Sequence, residues 1–488
     1  MSSSPSTPLT SDQPGGRAVA GLPEPVAIRQ LYLGCLSQAS YVVGDRRTGR
    51  AIAVDPRRDV DEILAAAAAE GLTVELVVET HFHADFLSGH LELAAATGAE
   101  IGVGAAGTTE FPSRPLHDGE VLDLGGVQVE VWSTPGHTPE SISLVVRPGP
   151  GRPAAAVLTG DTLFIGDVGR PDLLVAADVP AEELAGHLYD SVRRLAGLPD
   201  ATVLLPAHGA GSACGKALSS ETVSTIGAQR AANYALAPMT RERFVDLVTE
   251  GQPVAPAYFG YDAGLNRRAH PLLDEHGEVP VLDLAGLDAA AAAGAVVVDT
   301  RPTADFAAAH LVGSLGIGLD GRFAEQVGSL VPPDAAIVLV AGGTQAVEAR
   351  VRLARIGFDR VVGALPEVER LLATHPERAR RLSRLTAAAL DERRRALGTG
   401  LQLVDVRNPA EVEAAPVEGA RNLPLAGLRD HLGELDRDRA VVLVCAGGSR
   451  SAVASSLLLA EGFADVSDVL GGAAALGAPS SCATNPSG

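Results

Sequence analysis

The fold is decided by the stretch Thr80-His81-Phe82-His83-Ala84-Asp85, which follows directly on an apolar run at residues 74–78. That run predicts a buried strand. His81 and His83 are two residues apart, so both side chains can face one point from the loop after the strand. Later loops also place one ligand-type side chain after a predicted strand, in Thr134-Pro135-Gly136-His137-Thr138, Gly160-Asp161-Thr162 and Pro206-Ala207-His208-Gly209. Sites in layered α/β folds are built at strand ends, so a layered α/β domain is expected here.

These four loops indicate a metal centre. Neutral imidazoles and a carboxylate are ligands that first-row transition metals prefer. A single histidine of this kind is more often a hydrogen-bonded core residue than a ligand. Four such loops in this order reverse that judgement, because spaced ligand sets are specific.

The composition excludes several classes of protein. Among the 488 residues, 39 are Lys or Arg and 60 are Asp or Glu, which gives a net charge of −21. Binding to nucleic acid or to an anionic membrane needs clustered cations, so neither is expected. No apolar stretch approaches the length of a membrane span, and the N-terminus lacks the pattern of a signal peptide. The four cysteines form no C-x-x-C pair, which argues against a structural zinc site or a disulfide framework and favours a reducing cytoplasm.

The second half of the chain contains an internal repeat. Val296-Val297-Val298-Asp299-Thr300-Arg301 resembles Leu403-Val404-Asp405-Val406-Arg407, and each is followed later by an apolar run and a glycine-rich loop. The two copies lie about a hundred residues apart, which predicts a duplicated α/β module. The predicted organisation is a disordered tail (1–25), the histidine-bearing domain (26–248), a linker (249–280), a first module (281–376), a second module (377–478) and a disordered tail (479–488).

A cysteine occupies the glycine-rich loop of the second module only. Cys445-Ala446-Gly447-Gly448-Ser449-Arg450 lies between a predicted strand and a predicted helix. In that geometry the backbone N–H groups point at the loop centre, and the helix N-terminus and Arg450 add positive potential. All three favour a thiolate, or a persulfide anion after sulfur transfer. Cys445 and Arg450 are therefore the predicted catalytic pair, with the residues between them forming the persulfide loop.

The first half of the chain resembles the metallo-β-lactamase superfamily, through T-H-x-H-x-D, the G-H-T and G-D-T loops and the late P-A-H. That resemblance implies an αββα sandwich. The usual pattern is H-x-H-x-D-H, and Phe86 stands where a second metal would take its histidine. Within the superfamily the stretch from Gly160 to Leu173 is most similar to persulfide dioxygenases. That resemblance implies one Fe(II) on His81, His137 and Asp161, with O₂ as co-substrate; His83, Asp85 and His208 would line the site or serve as alternative ligands.

The last module resembles rhodaneses, which are sulfurtransferases, through the D-x-R loop, the cysteine loop and the final Gly471-Gly472. The middle module aligns with the same family through Asp299, Arg301, His310 and Gly313. Its loop begins with Ala341, so it has no nucleophile and is interpreted as an inactive rhodanese. The resemblance therefore implies two rhodanese-like α/β domains with parallel sheets after the sandwich.

The whole arrangement resembles persulfide dioxygenase–rhodanese fusions. This implies oxidation of a low-molecular-weight thiol persulfide by O₂ to sulfite and thiol, together with sulfur transfer among thiosulfate, sulfite and thiols at Cys445. The alternative is a zinc-dependent thioester hydrolase of the glyoxalase II type with an attached sulfurtransferase. The partners expected are these small molecules and further copies of the chain. The identity of the thiol and the direction of sulfur transfer are left open.

Four further residues are candidate substrate contacts. Arg170 and Asp172 either shape the pocket or form a structural pair in a turn. Cys214 follows His208 by six residues in a flexible loop, where a thiol can carry sulfur or simply be buried. Arg230 shares a helix face with Asn233, and a solvated face is the competing interpretation.

Overall fold

Two sheets stacked face to face carry the histidine-bearing loops at their strand ends. The computed structural model describes residues 16–173, 179–216 and 218–477. The chain forms two compact units. The first runs to His276 and includes residues 351–357, and the second comprises residues 277–350 and the chain from Phe358 onward.

The first sheet has seven strands in chain order, antiparallel from β1 to β4 and parallel from β4 to β7. The strands are β1 (Arg17–Ala18), β2 (Val26–Leu33), β3 (Gln38–Asp45), β4 (Arg50–Val54), β5 (Thr73–Glu79), β6 (Glu100–Gly104) and β7 (Arg114–Leu116).

The second sheet has six strands in the order β13-β12-β11-β10-β9-β8, and only β11 and β12 pair in parallel. The strands are β8 (Val121–Asp123), β9 (Gln128–Ser133), β10 (Ile142–Arg147), β11 (Ala156–Gly160), β12 (Val203–Pro206) and β13 (Ser224–Thr225).

The core lies between these sheets, and helices cover their outer faces. Alternate residues of both sheets, such as Val78 and Leu158, are buried in one central cluster. Outside the first sheet, α1 (Asp61–Ala69) buries Ile63 against strand residues. Outside the second, α3 (Ala181–Ala196) and α5 (Arg241–Thr249) bury one apolar face each. This αββα arrangement confirms the predicted fold of the first unit. Its remaining α-helices are α2 (His90–Thr97), α4 (Ile226–Ala232) and α6 (Phe259–Leu265).

The predicted strand-end loops are all present. The strand predicted at residues 74–78 is β5, and the loop with His81 begins just after its last residue, Glu79. His137 follows β9, Asp161 follows β11 and His208 follows β12. The carboxyl ends of strands from both sheets therefore bring the four loops together.

The second unit contains two parallel sheets and a short antiparallel pair, β15 with β19. The first parallel sheet has the order β16-β14-β17-β18, and the second has the order β22-β21-β23-β24-β20. The shared strand order agrees with the duplication predicted from the sequence. The strands are β14 (Val296–Asp299), β15 (His310–Leu311), β16 (Leu315–Gly316), β17 (Ile337–Val340), β18 (Val361–Ala364), β19 (Ala379–Arg380), β20 (Ser383–Leu385), β21 (Leu401–Asp405), β22 (Arg421–Asn422), β23 (Ala440–Val444) and β24 (Val466–Val469).

The α-helices after α6 flank these strands in an alternating α/β order. They are α7 (Leu284–Ala292), α8 (Thr303–Ala308), α9 (Phe323–Leu330), α10 (Gly343–Ala354), α11 (Val368–Thr374), α12 (Ala387–Leu397), α13 (Pro409–Ala414), α14 (Ser449–Ala460) and α15 (Gly472–Leu476). Among the described helices, none combines the length and apolar character that a membrane crossing requires.

Two sequence predictions need correction. Residues 1–25 were predicted to be a disordered tail, but Arg17–Ala18 form β1 against β2, and Val19 is buried. Residues 249–280 were predicted to be a linker, but they contain α6, and both Tyr258 and Phe259 are buried. Pairing and burial that depend on distant residues leave no local pattern in these polar stretches. Residues 1–15 and 478–488, which hold the rest of both predicted tails, lie outside the described residues.

Candidate functional site

Three buried side chains aim one ligand atom each at a common point. Ligand atoms of His81, His137 and Asp161 all lie within 4.8 Å of one another. Asp161 Oδ2 is 3.7 Å from His81 Nε2 and 3.5 Å from His137 Nε2. His81 Nε2 and Asp161 Oδ2 are buried without a hydrogen-bond partner. Buried polar atoms without partners are costly, so a cation at this point fits the residues present.

Neighbouring groups fix both imidazoles with Nε2 toward that point. The Thr80 hydroxyl donates to Asp55 Oδ2 (2.9 Å) and accepts the Nδ1–H of His81 (3.0 Å). His137 donates from Nδ1 to the carbonyl of Arg170 (2.8 Å). Hydrogen bonds of this kind set the tautomer and ring orientation of metal-binding histidines.

The protonation states also suit metal binding. Burial, with His83 beside it, lowers the pKa of His81 well below its ordinary value, so the ring is neutral. Burial alone would raise the pKa of Asp161, but His208 and His81 outweigh it and hold that pKa well below the usual range. A neutral imidazole and an ionised carboxylate are the forms that ligate a divalent metal.

A second donor group lies beside the first. Ligand atoms of His83, Asp85 and His208 also lie within 4.8 Å of one another. His208 Nδ1 is hydrogen-bonded to Asp161 Oδ1 (2.7 Å), and its Nε2 lies 2.8 Å from Asp85 Oδ2. Phe86 is fully buried, with its ring 4.3 Å from the ring of His83. The phenyl group contributes no ligand at the position where the superfamily pattern has histidine.

The candidate substrate contacts divide into two groups. Cys214 is brought to the site, since its thiol belongs to a donor group with Asp161 and His208. Burial, with Asp85 nearby, raises the pKa of that thiol well above its usual value, so it is a neutral thiol. Arg170 forms two 2.7 Å hydrogen bonds with Asp172 and a third with the carbonyl of Ala213, so the pair is held in place; a contact with substrate stays a prediction.

Arg230 is not brought to the histidine cluster. Its guanidinium donates to the carbonyls of Ala196 and Leu198 and pairs with Asp200. These contacts join the end of α3 to the following turn, so they serve the fold.

The sequence prediction missed two residues that form hydrogen bonds with the backbone of the H-x-H-x-D loop and of the residues just after it. Asn266 donates to the carbonyls of His83 and Phe86 and accepts from the N–H of Ser88, each at 2.8 Å. The Tyr258 hydroxyl donates to the carbonyl of Asp85 (3.2 Å). Both lie in the stretch predicted to be a linker, where no motif marks them. Asp55, in contrast, directly follows a predicted strand, as the ligand residues do. The same pattern of an apolar run followed by a polar side chain could have identified it.

The cysteine loop of the second unit has the predicted form. Cys445 follows β23, is buried, and accepts a hydrogen bond at Sγ from the N–H of Gly448 (3.1 Å), while the Ser451 hydroxyl lies 3.4 Å away. A Cβ on Gly472 would lie 2.2 Å from the Cys445 carbonyl oxygen, and Gly472 has a φ of +59°. That position therefore requires glycine, which accounts for the second glycine of the final pair.

Arg450 pairs with a carboxylate beside the cysteine loop. Its guanidinium forms two 2.7 Å hydrogen bonds with Glu411. The hydrogen bonds to Glu411 raise the pKa of Arg450. The Glu411 carboxylate thus offsets part of the positive charge that Arg450 brings to the loop, beside the backbone N–H groups and the start of α14.

The middle module repeats this loop without the thiol. Ala341 follows β17 as Cys445 follows β23, and Arg301 binds Asp299 as Arg407 binds Asp405. The shared geometry supports the duplication. The interpretation as an inactive rhodanese stays a prediction.

Comparisons with known proteins agree with this geometry. Residues 33–208 match the metallo-beta-lactamase superfamily, and residues 386–478 match the rhodanese-like domain. Hydroxyacylglutathione hydrolase of Rhodospirillum rubrum is 32% identical over 237 residues, which are 48% of this chain and 81% of that protein. The chain belongs to the metallo-beta-lactamase superfamily.

Two solved structures are also similar to this chain. A metallo-beta-lactamase from Staphylococcus aureus subsp. aureus COL superposes with a TM-score of 0.64 and 31% identity, over 70% of this chain and 99% of that chain. ETHE1 from Myxococcus xanthus has a TM-score of 0.42 and 29% identity, over 49% of this chain and 97% of that chain. The prediction of a metallo-β-lactamase fold followed by a rhodanese-like domain is confirmed.

Asp161→Asn tests the metal centre. An amide keeps the shape but removes the charge that offsets a divalent cation, so metal affinity should fall about 100-fold or more, since even outer partners contribute 10–100-fold. The check is metal content after dialysis against a graded chelator series. The control, Asp190→Asn, makes the same change in a surface pair with Arg241. Equal metal retention in both variants would place the metal elsewhere.

Asn266→Ala tests the support of the H-x-H-x-D loop. The change leaves two buried carbonyls and one buried N–H without partners, so the free energy of unfolding of the first unit should fall by about 2–4 kcal/mol. Chemical denaturation followed by a signal from this unit measures it. Arg268→Ala, at the exposed next-but-one residue, should change it by less than about 0.5 kcal/mol. A neutral effect of Asn266→Ala would show that water replaces the amide.

Proposed function

We propose that the first unit is an Fe(II)-dependent dioxygenase acting on a low-molecular-weight thiol persulfide, and that Cys445 transfers sulfane sulfur in the same chain. The observation that carries the proposal is the ligand set itself. Two imidazoles and one carboxylate converge on one point. The buried Phe86 stands where a second metal ion would need a histidine ligand. Two histidines and one carboxylate leave open positions suited to Fe(II) and O₂.

An iron ion held by His81, His137 and Asp161 would supply the redox chemistry between the persulfide and O₂. The overall balance is RSSH + O₂ + H₂O giving RSH + SO₃²⁻ + 2H⁺. The terminal sulfur is oxidised to sulfite, O₂ is reduced, the S–S bond breaks and the thiol leaves.

The residues of this chain orient the ligands and keep bulk water out. Thr80 and the Arg170 carbonyl hold the two imidazoles so that both Nε2 atoms stay unprotonated toward the site. His81, His137 and Asp161 are each about 1–2% exposed, so little bulk water reaches their ligand atoms. His208 binds the second oxygen of Asp161 and keeps that carboxylate from rotating.

Cys445 supports the sulfurtransferase half of the proposal. Its thiolate attacks the outer sulfur of thiosulfate, the S–S bond breaks, and sulfite leaves with the electron pair while a cysteine persulfide forms. The reverse reaction combines sulfite with the persulfide. The N–H of Gly448 stabilises negative charge on Sγ in either direction. One chain carrying both sites raises the local concentration of the sulfite that they share.

A zinc-dependent thioester hydrolase is the second candidate. It is favoured by the donor group His83, Asp85 and His208 and by the relative named hydroxyacylglutathione hydrolase. Phe86 counts against it, because that second donor group lacks one ligand.

Oxygen uptake by anaerobically iron-loaded protein with glutathione persulfide tests the proposal. Wild type should consume O₂ and release sulfite, His81→Ala should lose about 100-fold or more, and Cys445→Ser should retain the uptake. Zinc-loaded wild type is assayed in parallel with a glutathione thioester. No uptake with iron, together with thioester cleavage with zinc, would overturn the dioxygenase assignment in favour of the hydrolase.

Sulfur transfer is tested separately with thiosulfate as donor and a thiol as acceptor. Cys445→Ser should abolish the activity, because a hydroxyl neither attacks nor holds sulfane sulfur at neutral pH. Cys35→Ser, a partly exposed cysteine of the first unit, is the matched control and should leave it unchanged. Transfer that survives Cys445→Ser would assign it to another group.

A further inference from the structure

One arginine ties the cysteine loop of the second unit to the edge strand β20. Arg384 lies in that strand, and its Nη2 donates a hydrogen bond to the carbonyl oxygen of Gly448 (3.2 Å). Gly448 is also the residue whose N–H donates to Cys445 Sγ (3.1 Å). A single loop residue therefore accepts a hydrogen bond from the arginine and donates one to the sulfur.

A buried carboxylate fixes the guanidinium in this position. Arg384 donates from Nε to Asp468 Oδ1 (2.9 Å) and from Nη2 to Asp468 Oδ2 (2.8 Å). Asp468 is fully buried in β24 and is the direct partner of Arg384 in the register of the two strands. A contact at two points sets the orientation of a planar guanidinium as well as its position. The arginine is thus oriented toward the loop by the sheet itself.

Gly448 has a backbone conformation that benefits from an external contact. Its φ is +93° and its ψ is 0°, which lies in the left-handed region. A Cβ at this position would lie 3.1 Å from the nitrogen of Gly471 and 3.2 Å from the carbonyl oxygen of Val469. The position therefore takes glycine, which has more backbone freedom than any other residue. A hydrogen bond to its carbonyl restricts that freedom and keeps the N–H directed at Sγ.

The middle module, which has no thiol in its loop, also lacks this pair. The strand before each loop pairs with the next strand in the same register, and that register aligns Ala364 with Asp468. Val281 pairs with Ala364 as Arg384 pairs with Asp468. In contrast, the Asp–Arg pairs at the ends of β14 and β21 are kept in both modules. The pair that occurs only with the thiol is the one that contacts the loop, which indicates a role at the loop rather than in the fold of the module.

We propose that Arg384, held by Asp468, is a positioning residue for sulfur transfer at Cys445. The arginine acts through Gly448 and does not touch the sulfur. By fixing the Gly448 carbonyl, it keeps the N–H of that residue aimed at the negative charge of the thiolate, so no reorganisation is needed when the thiolate attacks. The inference deepens the proposed sulfur transfer at Cys445 and rests on it.

The test copies the middle module into the active one. Arg384→Val combined with Asp468→Ala gives the Val–Ala pair found there, so no buried charge is left without a partner. Alkylation of Cys445 by iodoacetamide is followed across pH on the full chain by peptide-resolved mass spectrometry. The midpoint of this profile should rise by about one pH unit, because a hydrogen bond to a charged group is weakened. Sulfur transfer from thiosulfate to glutathione at neutral pH should fall about 10-fold.

Two further variants separate positioning from a general effect on the fold. Arg384→Lys keeps a cation beside Asp468, and its midpoint should lie between those of wild type and the double variant. The control, Arg378→Val with Asp288→Ala, removes an exposed pair of the second unit with the same two-point geometry and should change neither readout.

The pH profile is interpretable because the other charged pairs around the loop are kept in every variant. They are Arg450 with Glu411 and Arg407 with Asp405. Exposure of the buried Cys445 would raise the maximal rate of alkylation, whereas weaker stabilisation of the thiolate moves the midpoint. The two effects are therefore read from different parts of one curve.

The outcomes distinguish this inference from the proposed function. A midpoint that stays at the wild-type value in the double variant, or that moves equally in the control, would overturn the role of Arg384. A higher maximal rate with an unchanged midpoint would also overturn it, since the pair would then only keep the loop closed. The expected shift in midpoint, in a wild type that transfers no sulfur from thiosulfate to glutathione, would support the role of Arg384 at the thiol and reject the proposed sulfur transfer.

Discussion

The first unit is built around the buried carboxylate of Asp161, of which only one oxygen has a hydrogen-bond partner. Asp161 Oδ1 accepts from His208, whereas Oδ2 faces the two Nε2 atoms of His81 and His137 without a hydrogen bond. A charge in that position costs several kcal/mol unless a cation or further donors compensate it. The loops around it, and the hydrogen bonds that fix each imidazole, are arranged so that a metal ion supplies the compensation.

The second unit carries a separate site. The second unit places one thiol, Cys445, in a loop of backbone donors, where sulfur can be held as a persulfide. The duplicated module before it keeps the same Asp–Arg pair but has Ala341 in place of the thiol.

The sequence predicted those features that depend on neighbours in the chain. Strands such as β5 and β11, and the ligand loops after them, carry their signal in apolar runs that end at His or Asp. It failed where the structure depends on distant partners. Asn266 and α6 lie in a polar stretch without periodicity, and their role arises only because the His83 and Phe86 carbonyls need donors. The pairing of Arg450 with Glu411 joins the first turns of α14 and α13, which are far apart in sequence, so no local pattern predicted it.

The positions of the ligand loops link metal occupancy to the mechanical integrity of the sandwich. His81 follows a strand of one sheet, whereas His137 and Asp161 follow strands of the other. An ion shared by these three residues is a cross-link between the sheets, in the same sense as a disulfide between two layers. Loss of the metal would therefore do more than abolish activity at this centre. It would leave a sandwich that opens more readily and exposes its interior to proteases, so the supply of metal would also set the lifetime of the protein.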